Sequence, residues 1–207
     1  MERERITISI KKNLLKKIDG TVDGINIRNR SHAIETLAIA TLNSSETKNA
    51  IVLLGGKDAL KLIPTAKENL KLLKNYGCTV VYVAIGYLGD KIIQKLGDGK
   101  DIGLEIKYIE GEGSGGAIKQ LKKTFAKTFI VINTDEVLRI NLEKLISFHR
   151  KQKNTATIAT NNLSALEGVY ILESEIFSHL PNGFSMLESD IFPKLLKEEE
   201  IAIYPII

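Results

Sequence analysis

Three short stretches of this 207-residue chain combine residue types that can grip a phosphorylated ligand. Leu54-Gly55-Gly56-Lys57 offers bare backbone N–H groups that can approach a phosphate, with a lysine alongside. Gly113-Ser114-Gly115, within the longer run 111–116, offers the same access plus one hydroxyl. Asn133-Thr134-Asp135 ends in a carboxylate that can hold a divalent cation, weakly if it acts alone. Bland readings fit the same residues. A tight turn accounts for Gly55-Gly56 equally well, and a capping role accounts for Asp135, because turns favour Gly and Asp.

The elements that must carry these stretches can be read from the apolar pattern. From Ala50 onward, apolar runs at 51–54, 79–85, 104–109, 129–133 and 155–160 predict strands. Amphipathic stretches at 67–75, 90–96, 116–125 and 142–151 predict the intervening helices. Such alternation predicts an α/β fold, with a Rossmann-like, mostly parallel sheet covered by helices on both faces. All three stretches fall at strand ends, where sheets of this kind bind ligands. The single cysteine, Cys78, rules out an intramolecular disulfide and reads as a buried structural thiol.

The first 42 residues have a different texture. They carry eight basic and five acidic side chains, most of the chain's net excess of +4. Positive charge gathered in so small a piece suits a polyanionic partner. Arg5-Ile6-Thr7-Ile8-Ser9-Ile10 alternates strictly and predicts a half-buried strand. Leu14, Leu15, Ile18 and Val22 predict a short helix, and a second helix is expected from Asn29-Arg30-Ser31 to about Leu42. One strand and two short helices cannot satisfy the strand's hydrogen bonds or enclose a core. A homodimer joined through an antiparallel N-terminal ribbon is therefore expected, with higher oligomers also allowed. The domain boundaries read as 1–44, a polar linker at 45–49, and 50–207. The charged N-terminus excludes a signal peptide, and no apolar run is long enough to span a membrane, so a cytoplasmic protein is expected.

Residues 5–42 resemble the ribbon-helix-helix repressors of the MetJ/Arc type. That resemblance implies double-stranded DNA as a partner, with Arg5, Thr7 and Ser9 reading base edges in the major groove. It further implies phosphate contacts from Arg30 and Ser31 at the start of the second helix, with Lys11, Lys12 and Arg28 adding to them. A plain dimerisation arm is the alternative.

Residues 50–205 resemble the sugar-phosphate nucleotidyltransferases, which join a nucleoside triphosphate to a sugar 1-phosphate, usually with Mg²⁺. The matching segments are Ile51–Lys57, Val83–Ile92, Gly113–Ala117, Ile132–Asp135 with Phe148–Arg150, Gly168–Ile171 and Ser185–Pro193. The resemblance implies a nucleotide or nucleotide sugar against Gly55, Gly56, Lys57, Gly113, Ser114 and Gly115, with Mg²⁺ on Asp135 if a nucleotide binds. There are departures. The family's "GGxGTR" loop reads Gly56-Lys57-Asp58-Ala59-Leu60-Lys61 here, without the arginine, and the "PKP" lysine has only Lys61 or Lys67 as stand-ins. The chain also stops before the "D.GT" turn that supplies a second metal aspartate. Losing those charges removes most of what lowers a phosphoryl-transfer barrier. The main expectation from sequence is therefore a DNA-binding transcriptional regulator with a degenerate nucleotidyltransferase domain used for sensing or assembly, and no catalytic residue. An active nucleotidyltransferase dimerised by its N-terminal arm is the alternative, and a structural DNA-organising protein a third reading.

Overall fold

A computed structural model describes residues 4–44, 48–161, 166 and 168–206. The chain divides into two compact units, Met1–Ser45 and Glu46–Ile207.

The smaller unit holds two helices, α1 (Lys12–Asp19) and α2 (Arg30–Ser44). Asn29 caps α2, its Oδ1 accepting from His32 N–H at 2.9 Å. Asp23 organises the turn between them, its Oδ1 accepting from the backbone N–H groups of Ile25, Asn26 and Ile27. Those donors hold its carboxyl at about 2. Residues 4–10 form neither helix nor strand, so the strand expected at Arg5–Ile10 is absent from the single chain. A strand needs a neighbour for its backbone N–H and C=O groups, and the described residues of this unit supply none. The only buried apolar side chains among this unit's described residues are Ile18 and Ala33.

The larger unit is built on a seven-stranded sheet. Its strands are β1 (Asn49–Leu54), β2 (Val80–Ile85), β3 (Glu105–Glu110), β4 (Phe129–Asn133), β5 (Ala156–Thr160), β6 (Val169–Leu172) and β7 (Ile201–Pro205). The spatial order is β3-β2-β1-β4-β6-β5-β7. All pairings are parallel except those β6 makes with β4 and β5. On one face lie α3 (Ile63–Tyr76), α4 (Gly89–Leu96) and α6 (Leu142–Gln152), through apolar residues such as Leu70, Ile92 and Leu145. On the other lie α5 (Gly113–Gln120), α7 (Ile176–His179) and α8 (Phe192–Lys197), through Ile118, Phe177 and Leu195. The expected α/β sheet covered on both faces is thus observed. Cys78 is buried, and that burial pushes its thiol up to about 11, which suits a structural role.

Candidate functional site

In the order β3-β2-β1-β4 the chain winds outward from β1 in one direction and then resumes on its other side. The crevice between the carboxyl ends of β1 and β4 is where such sheets bind ligands. The register sets these ends level: Leu53 pairs with Asn133, Leu54 with Ile85, and Ile85 with Glu110. A cleft of about 590 Å³ opens there, walled by the ends of β1, β2 and β4, the glycine turn before α5, and residues 184–189. A shallower depression of about 780 Å³ adjoins it and shares Ile85, Gly86 and Gly111.

Two buried polar side chains fix the β4 end. Thr134 Oγ1 donates to Leu53 O at 2.8 Å and ties β4 to β1. Asn69, on α3, donates to Glu136 O at 3.0 Å and accepts from Leu138 N–H at 2.9 Å, so the loop after Asp135 is pinned to a helix. Asp135 stands exposed in the cleft between these two anchors.

The glycine turn is fixed from the opposite wall. Gly115 N–H donates to Ser185 O at 2.8 Å, and Ser185 N–H donates to Glu112 O at 3.1 Å. A Cβ on Gly113 would meet Ser185 O at 2.3 Å, and one on Gly111 would meet Ala117 Cβ at 2.4 Å. These glycines are needed so that the turn can lie flat on its neighbours. Ser114 Oγ accepts from Leu187 N–H at 2.8 Å and donates to Glu188 Oε2 at 3.2 Å. Glu188 Oε1 accepts from the buried Tyr170 hydroxyl at 2.7 Å. Residues Leu187–Ile191 form a π-helical turn, a geometry frequent at functional sites.

Of the ligand residues expected from sequence, Gly55, Gly56, Gly113, Ser114 and Asp135 all line the cleft. Gly56 has φ of +84°, which a side chain would resist. Lys57 and Gly115 do not line it. None of the described residues that line it is basic. Lys61 is drawn to Asp58 at 2.6 Å, and Lys67 faces Asp101 at 3.7 Å, so neither stand-in lysine serves the cleft. Sequence reasoning gave no role to Asn69, Tyr170, Phe184 or Glu188. Tyr170 lies within the matched segment Gly168–Ile171 and Glu188 within Ser185–Pro193, but neither match assigned the side chain a role.

Residues expected to grip a nucleic acid sit elsewhere. Arg5, Thr7 and Ser9 are exposed on the irregular N-terminal segment, as are Lys11, Lys12, Arg28 and Ser31 on the same unit. Arg30 is paired bidentately with Asp19, Nε to Oδ1 at 2.7 Å and Nη2 to Oδ2 at 2.8 Å, so its guanidinium is turned to the protein.

No family model matches the chain. Over 183 residues it is 25% identical to a UTP–glucose-1-phosphate uridylyltransferase of Synechocystis, covering 64% of this chain and 47% of that protein. It is 29% identical over 181 residues to a D-glycero-α-D-manno-heptose 1-phosphate guanylyltransferase of Campylobacter jejuni, covering 74% of this chain and 81% of that one. The chain thus spans about half the length of the cyanobacterial relative. A crystal structure of a glucose-1-phosphate thymidylyltransferase from Bacillus anthracis, in complex with a sucrose, superposes with a TM-score of 0.62. It is 17% identical and is matched over 77% of this chain and 87% of its own. These relatives overturn the reading of the chain as a DNA-binding transcriptional regulator, and nothing in them or in the fold supports a ribbon-helix-helix module at residues 5–42. What they share with this chain is a sugar-phosphate nucleotidyltransferase-like fold, which extends over most of its length.

Proposed function

We propose that the larger unit is a sugar-phosphate nucleotidyltransferase, joining a nucleoside triphosphate to a sugar 1-phosphate with release of pyrophosphate. The observation that carries this reading is the cleft itself, with Asp135 and the glycine turn facing one another across the end of β1. The transfer forms a bond from a sugar-phosphate oxygen to the α-phosphorus as the bond to the β-phosphate breaks. The chain's own part is positioning. Gly55, Gly56 and Gly113 let the backbone come close to the phosphates, and Asn69 and Thr134 hold the loop that presents Asp135. The donor set fits Mg²⁺. Among the described residues no cluster of three or more His, Cys, Asp or Glu side chains forms a metal cage. Mg²⁺, however, is commonly held by one or two carboxylates plus substrate phosphates. When bound, Mg²⁺ would supply the positive charge that the lining residues lack.

A cleft without an arginine or lysine forfeits charge stabilisation, so turnover is expected to be slow and wholly dependent on the cation. The test is pyrophosphate release from UTP, GTP or dTTP with a panel of hexose and heptose 1-phosphates in Mg²⁺. Asp135→Ala is expected to abolish it. Absence of release across the whole panel, from well-folded protein, overturns the reading.

We further infer that the smaller unit pairs with a second copy, because Ile6, Ile8, Leu14 and Leu37 are 77%, 52%, 52% and 40% exposed. Pairing of residues 5–10 would cover the isoleucines and satisfy their backbone groups together. Light scattering is expected to find a dimer that the double substitution Ile6→Asp, Ile8→Asp converts to a monomer. A monomeric wild type rules the pairing out.

A further inference from the structure

The cleft presents two carboxylates, Asp135 and Glu188, and no basic side chain. They are placed differently. Asp135 is exposed at the end of β4, where phosphates and their cation belong. Glu188 is held from two sides by neutral hydroxyls, Tyr170 on Oε1 and Ser114 on Oε2. The π turn that carries it is tied at its start, where Met186 N–H donates to Asp190 Oδ2 at 2.8 Å. Neutral donors orient a carboxylate without cancelling its charge. Each of its oxygens can accept more than one hydrogen bond, so acceptor capacity is left over.

We propose that Glu188 makes the cleft selective for neutral sugars over anionic ones, accepting from hydroxyls of the sugar and repelling a sugar carboxylate. This rests on the nucleotidyltransferase reading of the same cleft. A fixed carboxylate in a half-enclosed site accepts hydrogen bonds from hydroxyls at little cost. A second carboxylate within several ångströms of it, with no basic side chain among the described residues lining the cleft, is disfavoured by at least about tenfold in affinity at an effective dielectric near 20. Asp135 cannot supply the same discrimination, because the cation it helps to hold offsets its charge. Phe184, 68% exposed at the cleft mouth, adds an aromatic face but no charge preference.

Equilibrium binding of two matched pairs tests the proposal, using UDP-glucose against UDP-glucuronate and GDP-mannose against GDP-mannuronate, all in Mg²⁺ with the full chain. In the pair whose base the cleft accepts, the neutral member is expected to bind at least about tenfold more tightly. Glu188→Gln is expected to shrink that difference to less than about threefold, whereas Asp135→Asn weakens both members and keeps the ratio. The glutamine is nearly isosteric: its oxygen can accept from Tyr170 and its amide can donate to Ser114, and thermal melting verifies the fold. Equal affinities in the wild type, or a preference that persists in Glu188→Gln, overturn the proposal and leave the nucleotidyltransferase reading standing. If neither the nucleotide sugars nor UDP and GDP bind at all, that reading falls and takes the proposal with it.

Discussion

β1 of the larger unit is buried from Ala50 to Leu54, whereas residues 4–9 of the smaller unit are exposed throughout despite a strictly alternating pattern. Both segments are rich in isoleucine or leucine, and both read as strands. The difference lies in what surrounds them. β1 has β2 on one side, β4 on the other and helices above and below. The N-terminal segment has no strand beside it among the described residues of its own chain. An apolar pattern becomes a strand only where a partner takes up its hydrogen bonds and covers its apolar face.

The contrast is broken most severely by emptying the larger core. Phe129, fully buried, stacks on Phe177 with ring centroids 5.6 Å apart and touches Phe125 at 5.0 Å. Phe129→Ala is expected to lose about 3–5 kcal/mol in denaturant unfolding. A substitution of similar size in the smaller unit, Ile6→Ala, should leave the melting of a monomer unchanged, because Ile6 is 77% exposed. A clear loss in a monomer at Ile6 would show that the segment is covered within the chain.

A smaller effect is expected where packing meets the site. Asn69→Ala strips the partners from Glu136 O and Leu138 N–H and is expected to cost about 1–3 kcal/mol. It should also lower turnover more than stability alone explains, because the loop that carries Asp135 loses its anchor. Restoring the melting temperature with a stabilising substitution elsewhere separates the two effects. If turnover recovers with it, Asn69 serves only the fold.

Much of this could be read from sequence, and the failures have physical causes. The parallel strands announced themselves as apolar runs, and Gly55, Gly113 and Asp135 followed because ligands sit at strand ends. The strand character of β6 and β7 escaped notice. β6 is four residues buried on both faces, with no alternation to betray it, and β7 pairs only along one edge. The start of α5 was placed three residues late, because glycine is a poor helix former and Gly113 to Gly116 hide the first turn. The roles of Glu188 and Asn69 were hidden for another reason. Each reaches the cleft or its loop through hydrogen bonds to residues about 70 positions away, Ser114 with Glu188 and Leu138 with Asn69.

Acid is expected to weaken the larger unit through a pair far from the cleft. His149 is 1% exposed, its Nδ1 2.7 Å from Thr157 Oγ1 and its Nε2 2.9 Å from Glu173 Oε1. Burial pushes Glu173 up, but hydrogen bonds from His149 and Thr128, with the charges of His149 and Arg150, outweigh it and leave its carboxyl below the ordinary 4.5. A depressed carboxyl stabilises the fold above its unfolded value and loses that contribution as pH falls through the folded one. The melting temperature should therefore fall on acidification below about pH 4.5, and Glu173→Gln should flatten that fall. An unchanged acid limb in Glu173→Gln would assign the loss to other carboxylates.

The smallest expected effects lie in the smaller unit, and they sharpen the comparison. Arg30 and Asp19 are joined bidentately, yet their side chains are 57% and 39% exposed. A surface pair of this kind contributes little, because solvent screens it and ordering two side chains opposes it. The Asn29 cap satisfies a backbone donor that would otherwise be unpaired at the start of α2, and such caps are worth about 0.5–2 kcal/mol. Helical circular dichroism should therefore fall more for Asn29→Ala than for Arg30→Ala, and only the Arg30→Ala effect should fade with added salt. If Arg30→Ala proves the costlier, the ion pair is buried by something outside the single chain. That outcome would mean a second copy covers this face as well as the isoleucines.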